Sequence, residues 1–157
     1  SYLGTGSDNS GQLRIYDKQG ETRSYIGDGY LQAYNQFGER TIFLGTGTNG
    51  GGYLRTYNFN GQESIYVGTG ADSSGQIRIY DNSGETGSFL GSGYFRTYNR
   101  FGKLTTFIGN ASDGGGYLRT NNKFETETVF LGTNNANEGL INLNDKFGQS
   151  FKTTLIC

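Results

Sequence analysis

The chain has 157 residues, 13 basic and 14 acidic, with no His, Pro, Met or Trp and 28 Gly. That is the length of one ordinary domain, and the balanced charge gives no steering toward nucleic acid or an anionic membrane. No apolar run is long enough to insert in a bilayer. Histidine is absent and Cys157 is the sole cysteine, so an intrachain disulfide and the commonest neutral-pH base and metal ligand are all excluded.

Leu, Ile and Val number 23, and Tyr and Phe together number another 23. Aromatic residues and glycine in these proportions suit a pleated surface, and each Gly costs a helix about 1 kcal/mol. No stretch carries a 3.6-residue apolar period. The expectation is an all-β chain.

In chain order, the first predicted element contains Tyr2-Leu3-Gly4, an aromatic–aliphatic–Gly triplet. The triplet returns at Tyr25, Phe43, Tyr66, Phe89, Phe107 and Phe130, in steps of 23, 18, 23, 23, 18 and 23 residues. Residues 2–65 and 66–129 agree at 35 of 64 positions, and 130–157 begin a third copy. Such periods signal solenoids, propellers or arrays. The organisation expected is one β-repeat domain over 1–157, with blocks 2–65, 66–129 and a partial 130–157.

Ahead of each later triplet, and once more after that of Phe130, stands a second strand-like piece: GQLRIYD (11–17), then GYLQAYN, GYLRTYN, GQIRIYD, GYFRTYN, GYLRTNN and GLINLND. A D/N-x-x-G turn joins the two pieces, as in DKQG (17–20) and NRFG (99–102). Asp or Asn bonds its own backbone there, and the closing Gly takes positive φ. Seven hairpin-like units follow. Links between units are tight (GDG, 27–29; GSG, 91–93) or longer (GTGTNGGG, 45–52).

Strand alternation puts Leu13/Ile15, Leu54/Thr56, Ile77/Ile79 and Leu118/Thr120 on one face. Arg14/Tyr16, Arg55/Tyr57, Arg78/Tyr80 and Arg96/Tyr98 fall on the other. A four-residue turn would set Tyr16 opposite Glu21 and Gln12 opposite Tyr25, with Arg14 diagonal to Glu21. A parallel β-solenoid would pile these arginines into one like-charged column. An antiparallel meander separates them to about 10 Å, with glutamates between, and the tight links favour it.

The other motifs are weak. GTGTNGGG leads into a strand, whereas a phosphate loop leads into a helix. The acidic loops SDNSG (7–11) and ADSSG (71–75) lack calcium-loop spacing, so no cofactor or metal is expected. Asn110-Ala111-Ser112 is a glycosylation sequon. No nucleophile or carboxylate pair stands outside the repeat, and no enzymatic activity is expected.

RIYDKQG and RIYDNSG resemble the bacterial YD repeat, tyrosine–aspartate–x–x–glycine. The strand–turn–strand rhythm is also similar to choline-binding repeats, without their Gly-Trp signature. The resemblance implies β-sheet spirals in a secreted or cell-surface setting and transfers no binding residue. The chain enters and leaves the pattern at strands, which predicts head-to-tail edge pairing between copies. The candidate assembly edges are Tyr2, Leu3, Gly4, Phe151, Thr153, Leu155 and Ile156, with the Tyr/Arg face supplying lateral packing. The function expected is a structural subunit of an extracellular fibre, sheath or biofilm filament. Alternatives are a glycan- or cell-wall-binding module using that face, or a tail-fibre or adhesin shaft. The expected partners are other copies of the chain and glycans, with neither nucleic acid nor membrane insertion.

Overall fold

The computed structural model describes residues 1–156 except Asn49, Asn135 and Asn137, and only the backbone of 152–156. Cys157 therefore lies outside the described residues. The chain is all-β, and its contacts divide it into two compact units, residues 1–84 and 85–157. The first unit holds β1 (Tyr2–Thr5), β2 (Gly11–Tyr16), β3 (Thr22–Gly27), β4 (Tyr30–Tyr34), β5 (Arg40–Thr46), β6 (Gly52–Tyr57), β7 (Glu63–Thr69) and β8 (Gly75–Tyr80). The second holds β9 (Thr86–Gly91), β10 (Tyr94–Tyr98), β11 (Leu104–Asn110), β12 (Gly116–Asn121), β13 (Glu127–Thr133), β14 (Gly139–Asn144) and β15 (Ser150–Ile156). Within each unit every strand pairs antiparallel with its sequence neighbours. Of the two arrangements the sequence allowed, this is the meander.

Turn chemistry explains the topology. After β2, Asp17 Oδ1 accepts from the Gln19 and Glu21 amides at 2.9 Å each. The Asp17 amide donates to the Glu21 carbonyl at 2.9 Å, and Gly20 sits at φ +87°. The same loop recurs at Asn35, Asn58, Asn99, Asn122 and Asp145. Two-residue links join β3 to β4 and β9 to β10: Asp28 and Gly29 take φ 49° and 77°, Ser92 and Gly93 take 51° and 80°. Positive φ at both central residues is the hairpin turn whose twist matches its strands.

The register differs from the simple four-residue loop. Glu21 belongs to the loop, Tyr16 pairs with Thr22, and a bulge at Arg23 precedes Ile15↔Ser24 and Arg14↔Tyr25. The expected pairs Tyr16–Glu21 and Gln12–Tyr25 are therefore replaced, because loop and bulge each take up one more residue. Beyond the bulge the shift is two residues, which leaves Ser24 to Gly27 on their predicted faces because the side-chain period is two, while Thr22, shifted by one, moves to the face of Tyr16.

Each unit is one layer deep. Strands touch only their sheet neighbours, and Tyr25 and Phe107 are the only buried hydrophobic residues among those described. What a globular domain places between layers is here spread over two open faces.

Candidate functional site

In the first unit the Tyr/Arg face carries one side chain per strand in a register row: Tyr2, Arg14, Tyr25, Gln32, Phe43, Arg55, Tyr66, Arg78. Cation and ring alternate between Arg55, Tyr66 and Arg78. The arginines are thus kept apart as a meander requires, but by aromatic rings where glutamates were expected. Arg14 does not reach for Glu21: its Nε donates to Gln12 Oε1 at 3.1 Å and its guanidinium lies 5.3 Å from the Tyr25 ring centre. Tyr16, Tyr57 and Tyr80 share this face. In the second unit Phe89, Arg96, Phe107, Arg119 and Phe130 continue the pattern on that unit's own face, with Tyr98 beside Leu104.

The rings form ladders that the sequence reading missed. Tyr25, Tyr30, Phe43, Tyr53 and Tyr66 stack at centroid spacings of 5.1, 5.5, 5.1 and 5.8 Å. Phe89, Tyr94, Phe107, Tyr117 and Phe130 do so at 5.2, 5.6, 4.7 and 5.5 Å. Glycine makes this possible. A Cβ on Gly27 would sit 2.5 Å from the Tyr25 hydroxyl, and one on Gly45 would sit 2.7 Å from Tyr30 Cβ and 2.9 Å from the Phe43 ring. At Gly4, Gly27, Gly45, Gly109 and Gly132 the triplet aromatic leans over the Gly two residues on, into space a side chain would fill. The signal was in the triplet: its aromatic and its Gly have the same parity and so share a face.

Guanidinium groups lie over these ladders. Arg55 is 4.8 Å from the Tyr53 centroid, and Arg96 is 4.2 Å from that of Tyr94. The buried Nε of Arg55, Arg96 and Arg119 makes no hydrogen bond. Its desolvation is offset by the ring faces beneath it. Arg55 Nε also approaches Glu63 at 3.3 Å, near enough for an ion pair though not aligned as a hydrogen bond. Burial opposes the Arg55 charge, but Glu63 together with Tyr57 and Tyr53 outweighs it and raises its pKa. Burial, and then Glu63, push the Tyr80 hydroxyl up; burial, and then Asp28, do the same for Tyr25.

Two troughs on this face correspond position for position across 64 residues. One, of about 540 Å³, is lined by Thr48, Tyr53, Arg55, Glu63 and Tyr66. The other, of about 350 Å³, is lined by Ser112, Tyr117, Arg119, Glu127 and Phe130.

The opposite face is aliphatic. In the first unit Leu3, Leu13, Ile26, Leu31, Leu44, Leu54, Val67 and Ile77 form one register row, one from each strand. Beside it run Ile15, Ser24, Ala33, Ile42, Thr56, Ile65 and Ile79. Leu44 is 50% exposed and Ile79 49%. The second unit has the equivalent row Leu90, Phe95, Ile108, Leu118, Leu131 and Ile141.

β1 pairs with β2 alone and β15 with β14 alone among the described residues. Tyr2 and Gly4 sit on the Tyr/Arg face, whereas Leu3 is on the aliphatic face and 83% exposed. Phe151 is exposed; Thr153, Leu155 and Ile156 pair through their backbones with Asn142, Leu140 and Gly139, their side chains being outside the described residues. Asn110, the sequon residue, is exposed at the end of β11. The acidic loops use their carboxylates internally: Asp8 Oδ1 accepts from Ser10 Oγ at 2.8 Å, and Asp72 Oδ1 from Ser74 Oγ at 2.6 Å. No group of three or more His, Cys, Asp or Glu that could hold a metal, and no helix long and apolar enough to cross a membrane, occurs among the described residues.

No protein-family model and no curated protein matches the chain.

Proposed function

We propose that the chain is a structural subunit of an extracellular fibre, sheath or biofilm filament, associating with copies of itself. The observation that carries this reading is the single-layer architecture, with only Tyr25 and Phe107 buried among hydrophobic residues. A soluble monomer rarely leaves a contiguous apolar surface of more than a few hundred Å² open to water. Here the aliphatic row runs across all eight strands of the first unit. A repeat surface of this kind is best covered by another copy of the same repeat. The secreted or surface setting rests on the resemblance to YD repeats. Sedimentation velocity and negative-stain microscopy over a hundredfold concentration range test the reading. Concentration-dependent assembly into elongated particles supports it, whereas a monodisperse monomer at the highest concentration overturns it.

The paired troughs favour a second reading, a glycan-binding module. Each offers a ring to stack on a sugar face, a guanidinium, and a carboxylate able to accept from sugar hydroxyls. Reproducible glycan-array binding lost on Tyr66→Ala would support it, and an array with no hits would remove it.

A further inference from the structure

Resting on the self-association reading, we propose which surface mediates it and how. Two copies stack sheet on sheet through the aliphatic face of residues 1–84, and the Tyr/Arg face stays outward. The sequence reading gave lateral packing to the Tyr/Arg face. On that face, however, the rings already stack on each other and the guanidinium groups already lie over rings. The aliphatic side chains have no such partners above them.

The chemistry of the face identifies its occupant. The register places no charged residue on it along any of the eight strands. Arg23 stands in the bulge at the turn end, held by Asp17 and the Asn35 carbonyl. On the two register rows a nucleic acid, an acidic peptide or a polar glycan would meet only the hydroxyls of Ser24 and Thr56, the latter already bonded to Ser64 Oγ at 2.7 Å. An aliphatic surface whose register rows carry no charge is matched by one like itself, and sheets packed this way sit about 10 Å apart.

Size agrees. Eight strands spaced about 4.8 Å, each about 20 Å long, give a face of roughly 750 Å². A stable interface takes about 800 Å² from each partner. The second row supplies Ser24, Ala33 and Thr56 between larger neighbours, leaving recesses that facing side chains can enter. Because both partners use the same patch, the contact is two-fold and closes on itself. It makes a two-layer building block and leaves elongation to other surfaces.

Leu44 lies near the middle of the face, on β5, and is half exposed. The test uses the full chain carrying Leu44→Lys, Leu44→Glu, or an equimolar mixture, followed by sedimentation velocity. The expected result is at least hundredfold weaker association for each variant alone and recovery to within tenfold of wild type in the mixture. Recovery also shows that both variants fold. If both variants associate like wild type, this interface is wrong while self-association stands. If wild type stays monomeric, or binds phosphatidylcholine vesicles in place of itself, both readings fall. Two variants that keep wild-type circular dichroism but show no recovery when mixed overturn the face-to-face contact. A second measurement needs no charged variant: nitroxides at Ala33→Cys or Gln32→Cys, each in a Cys157→Ser background. Intermolecular dipolar broadening is expected at 33, on the aliphatic face, and not at 32, on the other. The reverse pattern overturns the proposal.

Discussion

Gly68→Ala is the sharpest probe of why glycine ends each aromatic triplet. A Cβ there would lie 2.5 Å from Tyr53 Cβ and 2.9 Å from both Tyr53 Cα and the Gly52 carbonyl oxygen. Two of these three atoms are backbone of the paired strand, so no rotamer change relieves the overlap. The strand must shift, at a cost of about 1–3 kcal/mol for overpacking. Displacing Tyr53 also opens its 5.8 Å stack with Tyr66, a further loss of about 0.5–1.5 kcal/mol. Alanine recovers about 0.5–1 kcal/mol over glycine in a strand. The net expectation is a loss of about 2 kcal/mol. Gly75→Ala is the control, because a Cβ there meets nothing within 4 Å; it should be neutral or slightly stabilising. Urea unfolding followed by tyrosine fluorescence, at a concentration low enough to suppress association, should separate the two midpoints by about 1 M. Coincident midpoints would refute the account of Gly68 as a glycine required by the close approach of the paired strand.

Other outcomes follow from the same geometry. Asn58→Ala removes the acceptor of the Asn60 and Gln62 amides, at 2.9 and 3.0 Å, and should lower stability by about 1 kcal/mol, whereas Asn58→Asp should be close to neutral. Arg96→Gln removes the guanidinium 4.2 Å from the Tyr94 centroid and should cost about 0.5–1 kcal/mol, seen as a lower Tm. Hydrogen bonds from Ser10 hold Asp8, and hydrogen bonds from Lys103 and the Leu104 amide hold Glu125, below the usual carboxylate range. Asp17 is also lowered: burial opposes its charge, but the Glu21 amide, Arg23 and the Gln19 amide together outweigh it. Groups depressed on folding stabilise the folded state above their unfolded values of about 3.9 to 4.3. That contribution disappears as pH falls through the lower folded values, so urea midpoints should decline at acid pH, and less steeply in an Asp17→Asn chain.

Much of this protein is legible in its residues because the information is local. Strand class follows from aromatic, β-branched and glycine content, and hairpin connectivity from the Asp/Asn-x-x-Gly loop and the positive-φ pairs Asp28-Gly29 and Ser92-Gly93. Face membership follows from a period of two, which survives even a misjudged loop: Glu21 joining the turn and Arg23 bulging move the register by two and leave Arg14 beside Tyr25. Glu125 shows the limit of such patterns. It stands where other loops have Gly, at φ 65°, and its carboxylate accepts from Lys103 Nζ at 3.0 Å and the Leu104 amide at 3.2 Å. Both partners lie on the preceding hairpin, outside the reach of any local pattern.

Tertiary structure alone decided what covers what. Composition pointed to pleated surfaces without saying what packs on them; within each unit a meander without crossovers supplies no second layer, so Leu44 and Ile79 remain half exposed. Nor could sequence order tell that rings, not carboxylates, separate the arginines. That depends on which residues meet across strands, and the meeting is fixed by the loop and bulge together. The amino-acid pattern thus determined strands, turns and faces, each set by neighbours along the chain. Cross-strand packing of rings onto glycine and the openness of the aliphatic face arise only once strands are placed side by side.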